Sequence, residues 1–198
     1  GTLHALTASI DAKDSYTHGH SERVAQMSRL LAEAAGLDNH TVERVYIAGL
    51  VHDVGKIGVP ETVLCKPGAL TDAEFELIKM HPQIGARILE DIQQMQDLIP
   101  GVMHHHERWD GRGYPHGLEG ERTPLFGRLI GLADSFDAMS SSRTYRQAMA
   151  RDQVMDEIRR CAGTQFDPHL AEIFVKLDVA SLYEADPRNQ PISPDGKS

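Results

Sequence analysis

Hydrophobic positions in this chain recur at intervals of three and four and seldom at two, so the pattern predicts helices nearly throughout. Leu3, Leu6 and Ile10 mark a lead-in helix over 2–13. Val24, Met27, Leu30, Leu31 and Ala34 mark a second from Ser21 to Ala35, stopped by Gly36. Asp38 or Asn39 can cap a third, which Val42, Val45, Tyr46 and Leu50 carry to about Val54. Thr71-Asp72-Ala73-Glu74 has the spacing of a capping box, in which each side chain satisfies the other residue's backbone N–H, so a helix is predicted from there to about His81. The His81-Pro82 step interrupts it, and further helices are predicted over about 83–91, 97–107, 124–138, 150–162 and 168–177. Gly111, Gly113, Pro115 and Gly117 enforce a loop. From Asp178 onward the prolines and small polar residues predict an irregular tail. No strand alternation and no internal repeat is visible. The expected fold class is all-α, with a lead-in helix over 1–14, a functional domain over 15–177 and a tail over 178–198.

With 198 residues, 40% of them hydrophobic, the chain can bury a real core in one domain. A formal net charge of −9 argues against non-specific binding to long nucleic acid, and leaves open a small phosphate ligand held by local arginines. Cys65 and Cys161 are isolated, which excludes a cysteine zinc framework and makes a reducing compartment the default. No run approaches the ~18 consecutive apolar residues of a membrane span, and no secretory signal is visible. A cytoplasmic location is expected. The start, Gly1-Thr2-Leu3, suggests a piece excised from a longer signalling protein, and the lead-in helix could continue a dimeric signalling helix.

The candidate chemistry lies in His52-Asp53 and in the run His104-His105-His106-Glu107, with single candidates at His20, His81 and Asp134. Neighbouring imidazoles and carboxylates are costly to bury without a cation, so together they predict a site for two metal ions and hydrolytic chemistry. Adjacent residues on a helix project about 100° apart. Asp53 can therefore bridge two ions while His52 binds one, with His105 and His106 serving the other. A donor set of His and Asp without Cys points to iron or manganese, with nickel, zinc or others open. Lone histidines such as His4, His18, His40, His116 and His169 are read as ordinary surface or core residues.

The segments HDVGKIGVP (52–60), HHERWDGRGYP (105–115) and LADSFDAMSSSRTYR (132–146) resemble the HD-GYP domains of bacterial signalling proteins. YTHGHSERV (16–24), IKMHPQIGARIL (78–89) and FDPHL (166–170) fit the same pattern, so the likeness spans about residues 8–177. The resemblance implies an HD-domain helical core with additional C-terminal helices, a di- or trinuclear metal centre, and phosphodiesterase activity on cyclic di-GMP. It implies metal ligands at His20, His52, Asp53, His81, His105, His106 and Asp134, which leaves His104 as an extra. It places Lys56 beside the substrate phosphate, and gives Arg143 and Arg146 the role of gripping substrate. Members with three ions carry a Glu where this chain has Tyr16, so two ions are expected. Asp53 and Lys56 are the expected catalytic groups, acting with a water activated between the ions to give pGpG or GMP.

Two readings of Tyr114 stand open: contact with substrate, or a wall that also docks a partner such as a GGDEF-type cyclase. Glu107, Asp110 and Asp137 are expected to orient ligand histidines or cap the loop, and Trp109 to anchor packing. The competing functional class is a cyclic di-GMP-sensing or docking module without turnover. A general HD phosphohydrolase on a linear nucleotide is disfavoured by the 105–115 segment, whereas a mixed cyclic dinucleotide is not.

Overall fold

The computed structural model describes residues 1–14, 18–141 and 149–184. Among these residues eleven α-helices and three 3-10 turns form, and no β-strand does. The all-α expectation holds.

Helices α2 (His20–Ala34) and α3 (Asn39–Val51) follow their apolar periods, whereas α1 (Thr2–Lys13) forms over the expected residues but buries Thr7, Ile10 and Asp11 and leaves Leu6 exposed. Gly36 takes the left-handed conformation (φ 83°) just after α2, which ends the helix and turns the chain. Asp38 then caps α3 by accepting the Thr41 N–H at 2.9 Å. The short link folds α2 and α3 back on each other, which brings the first residue of α2, His20, beside the residue closing α3, His52, at 5.2 Å between ring centroids. Val24, Met27, Leu31, Val45 and Leu50 from this pair enter the core. Helix α8 (Leu125–Ser140) supplies Leu129, Ile130, Leu132 and Phe136. Helices α9 (Arg151–Arg160) and α10 (Pro168–Phe174) close it with Val154, Ile158, Leu170 and Phe174. Each such side chain fully removed from water contributes roughly 1.5–3 kcal/mol.

Helix α4 (Glu61–Leu64) is a single turn. Helix α5 (Asp72–Ile78) has the predicted capping box, with Thr71 and Glu74 each satisfying the other's backbone N–H. It stops at Ile78 rather than His81, and α6 (His81–Glu90) begins on His81 itself. Pro82 interrupts nothing there: its missing N–H belongs to a first turn that has no intrahelical acceptor to lose.

Two other boundaries fall earlier than the periodicity predicts, and both matter. Helix α3 ends at Val51, so Asp53 leads instead into a 3-10 turn, Val54–Gly58. The predicted 97–107 helix is a 3-10 turn, Gln93–Leu98, followed by α7 (Ile99–His104), so His105 and His106 lie beyond its last residue. The histidine pairs are thus presented at helix ends, not from one helical face. The expected irregular tail begins with order: α11 (Ser181–Glu184) forms, and Val179 and Tyr183 are buried in the core.

Candidate metal centre

Helix ends from four parts of the chain meet at one point because their backbones approach closely. A Cβ on Gly55 would stand 1.8 Å from the His81 carbonyl oxygen, so only glycine lets the turn after Asp53 lie against the start of α6. A Cβ on Gly131 of α8 would stand 2.6 Å from the His105 carbonyl oxygen. That approach carries Asp134, one turn further along α8, to the same place.

The seven expected ligands come together. His20, His52, Asp53 and Asp134 form one group of donors, and His81, His105 and His106 a second, with donor atoms within 4.8 Å of one another in each. Asp53 faces both groups: its Oδ2 lies 3.2 Å from His52 Nε2 and 3.4 Å from His20 Nε2, while its Oδ1 lies 3.3 Å from His81 Nε2 and 3.7 Å from His105 Nε2. Asp134 straddles the groups as well, with Oδ1 at 2.9 Å from His20 Nε2 and Oδ2 at 4.0 Å from His106 Nε2.

The outer nitrogens of four rings are anchored. His52 Nδ1 bonds the Gly49 carbonyl at 2.6 Å, His81 Nδ1 that of Ile78 at 2.6 Å, and His105 Nδ1 that of Val102 at 2.8 Å. His20 Nδ1 lies 2.7 Å from Asp137 Oδ2. Each acceptor fixes a proton on Nδ1 and turns Nε2 inward, as second partners of metal-ligating histidines do. His52 Nε2 is buried and makes no hydrogen bond. His81 Nε2 and His105 Nε2 face each other at 3.3 Å. Buried imidazole nitrogens and carboxylates converging on one point call for a cation, whether protons or metal, and the donor set fits divalent metal.

The two groups differ in charge. Burial disfavours a charged His52, but Asp53 and Asp134 outweigh it and raise the imidazole to about 9. Burial is likewise outweighed at His20, where Asp134, Asp137 and Asp53 push the ring well above its ordinary value. In the second group burial prevails, although Asp53 pulls the other way at His105 and His106, and Asp134 at His106. Burial drives His105 far down, aided by His106, His52 and His81, and takes His106 to about 4, aided by His81.

Lys56 lies inside the site, with Nζ 3.0 Å from Asp53 Oδ2 and 2.9 Å from Asp14 Oδ2. Burial opposes its charge, but Asp53 and Asp14 more than compensate and raise its pKa, so it is a cation at neutral pH and not a base. Tyr114 stacks on His106 at 4.8 Å between centroids, with 13° between the rings. A cavity of about 360 Å³ opens over His20, Asp53, Lys56, His106 and Asp134, walled by Leu70, Phe75 and Tyr114. The residues expected to support the site do so. Asp137 accepts hydrogen bonds from Arg23 at 2.7 Å and from the Tyr183 hydroxyl at 2.7 Å besides meeting His20. Glu107 caps the loop, accepting the backbone N–H of His116 and Leu118, and Asp110 accepts that of Arg112. Arg143, Arg146 and Tyr16 lie outside the described residues. Sequence reasoning missed Asp14: it ends a lead-in helix and meets Lys56 only across 42 residues of chain.

Comparison with known proteins agrees with this geometry. Residues 5–170 match the HD domain family. A cyclic di-GMP phosphodiesterase of Thermotoga maritima is 39% identical over 190 residues, covering 93% of this chain and 51% of that protein. A 3'3'-cGAMP-specific phosphodiesterase of Vibrio cholerae is 38% identical over 173 residues, covering 86% of this chain and 36% of that protein. The chain thus spans about half or less of the length of these relatives. In fold it is similar to the crystal structure of a cyclic GMP-AMP-specific phosphodiesterase of V. cholerae, with a TM-score of 0.68 at 21% identity over 94% of this chain and 49% of that one. With its histidines and aspartates gathered at helix ends and its Gly113-Tyr114-Pro115 loop against them, the chain belongs to the HD domain family, and within it to the HD-GYP type.

Proposed function

We propose that this chain hydrolyses a phosphodiester bond of a cyclic dinucleotide, with cyclic di-GMP as substrate and pGpG as first product, from which GMP can follow. The observation that carries the reading is the convergence of buried Nε2 atoms on Asp53 and Asp134, His52 Nε2 among them without a hydrogen bond. We assign one divalent ion to His20, His52, Asp53 and Asp134, and the other to His81, His105 and His106 with Asp53 shared, iron or manganese suiting this set. When bound, such ions supply Lewis-acid charge and an acidified water.

The remaining work falls to side chains. Asp137 and the carbonyls of Gly49, Ile78 and Val102 hold the imidazoles in one tautomer, so no reorganisation is needed during reaction. Lys56, charged and already oriented by Asp14, donates to a phosphate oxygen as negative charge builds. Leu70, Phe75 and Tyr114 give the cavity an apolar wall against which a guanine can lie. Arg143 and Arg146 are assigned to the substrate from the sequence pattern, since guanidinium groups suit bidentate contacts with phosphate or guanine.

The test is one set of incubations. Protein loaded anaerobically with Fe²⁺ or Mn²⁺ is mixed separately with cyclic di-GMP, 3'3'-cGAMP and linear pGpG, and products are resolved by chromatography. Fastest loss of cyclic di-GMP with appearance of pGpG is expected. Tight binding without turnover would overturn the reading in favour of a sensing module. Faster cleavage of 3'3'-cGAMP would reassign the substrate, as the similarity to the V. cholerae relative allows.

A further inference from the structure

His104 directly precedes the two central histidines but does not join them. Its Nδ1 lies 3.4 Å from Glu107 Oε1, and its ring centroid lies 5.3 Å from that of His116. One donor atom from each of His104, Glu107 and His116 falls within 4.8 Å of the others. Glu107 is fully buried as a side chain, and both its oxygens accept backbone N–H groups across the loop, Oε1 from His116 at 2.8 Å and Oε2 from Leu118 at 3.0 Å. That carboxylate is therefore held in place, and the two imidazoles are brought to it from opposite ends of the loop: His104 from the end of α7, His116 from just beyond Pro115.

We propose that His104, Glu107 and His116 form a separate outer site for a transition-metal ion that clamps the Gly113-Tyr114-Pro115 loop to the end of α7. Two imidazoles and one carboxylate suit Zn²⁺, Ni²⁺ or Cu²⁺ and do not suit Mg²⁺ or Ca²⁺, which take oxygen ligands. Three protein ligands leave a position for water, as His116 stands at the exposed surface. Because the clamp closes the segment 107–116, an ion here would steady Tyr114 where it stacks on His106. The site shares no donor with the two inner groups and does not depend on the reading of the cleft.

The test is zinc stoichiometry on the whole chain. Protein saturated with Zn²⁺ is freed of excess by gel filtration and its zinc measured by elemental analysis, for the wild type, His116→Ala, His104→Gln, Asp53→Ala and Asp53→Ala/His116→Ala. One equivalent less is expected in His116→Ala and in His104→Gln than in the wild type. The single variant Asp53→Ala should likewise hold one equivalent more than the double variant, since the outer site survives loss of the inner one. Equal zinc in the wild type and in His116→Ala overturns the proposal, whatever His104→Gln does. His116 is exposed, so its replacement leaves the fold intact, which circular dichroism checks.

Discussion

The centre has two halves built from the same ring type and opposite electrostatics. Around His20 and His52, three aspartates (Asp53, Asp134 and, at His20, Asp137) outweigh burial and hold positive charge in place, raising His52 to about 9. The donor group of His81, His105 and His106 has no carboxylate of its own, and burial favours the neutral rings of His105 and His106, taking His106 to about 4. One half attracts a cation and must give up protons to take it. The other offers three imidazoles and depends on Asp53, whose Oδ1 is the nearest anion to it at 3.3 Å from His81. The lesson is that a histidine's neighbours, not its burial alone, decide what it contributes: His20, His52 and His105 are all buried, yet the first two are raised and the third is lowered.

The comparison breaks most completely at Asp53, the one residue that serves both halves at close range. Asp53→Ala should empty both and lower turnover by at least ~10³-fold, because charge stabilisation and water activation go together. His105→Ala should remove one equivalent of metal and leave the half around His20 loaded. Metal content by elemental analysis, read beside the rate of substrate loss, separates the cases. Equal metal loss in the two variants would mean that the halves are one site.

A smaller effect is expected at Lys56, which meets Asp53 through Oδ2, the oxygen that faces His20 and His52. Lys56→Met keeps the length of the side chain and removes its donor, and should cost roughly 10²–10³-fold in kcat, the usual range for one such donor. Metal content should stay at the wild-type level. If metal is lost with the rate, the lysine holds Asp53 in place and does not act on substrate.

Asp137 touches the metal centre only through His20, so its effect should be confined to that half. Asp137→Asn keeps the shape and weakens the anchor of the His20 ring, and about 10–100-fold lower metal affinity is expected there. Titration with Mn²⁺ followed by calorimetry would show one weakened and one unchanged step. The half-buried Arg23 also loses the full charge of its partner, so a fall in Tm should accompany the loss. Two weakened steps would show that the halves communicate through the fold.

Much of this was legible in the chain, and the missing part has a common cause. Helices α2 and α8 follow apolar periods, and the capping box at Thr71 marks its helix because both partners lie within one turn. The dipeptide His52-Asp53 and the run His104-His105-His106-Glu107 suggest a metal site by chemistry only when taken together with His20, His81 and Asp134. The helix ends that present them are another matter. Whether α3 continues past Val51 is settled by the contact of Gly55 with the His81 carbonyl, and no local period records a partner 26 positions away. Asp14 and Tyr183 were missed for the same reason: they reach Lys56 and Asp137 across 42 and 46 residues, respectively.

The smallest effect belongs to Tyr114, and it bears on the half with no carboxylate of its own. The ring lies flat on His106 and edge-on to Phe75 at 6.4 Å, while burial pushes its hydroxyl above the ordinary phenol range, so the hydroxyl is no base at neutral pH. If the ring is what matters, Tyr114→Phe keeps the stack and kcat/KM should stay within about 3-fold of wild type. Tyr114→Ala removes a contact of roughly 0.5–1.5 kcal/mol, which corresponds to about 2–10-fold. That loss should appear in KM, because a guanine would lose its wall and the metal donors would lose nothing. A loss above tenfold in Tyr114→Phe, carried by kcat, would place the hydroxyl on the reacting phosphate and give that half a donor matching Lys56 in the other.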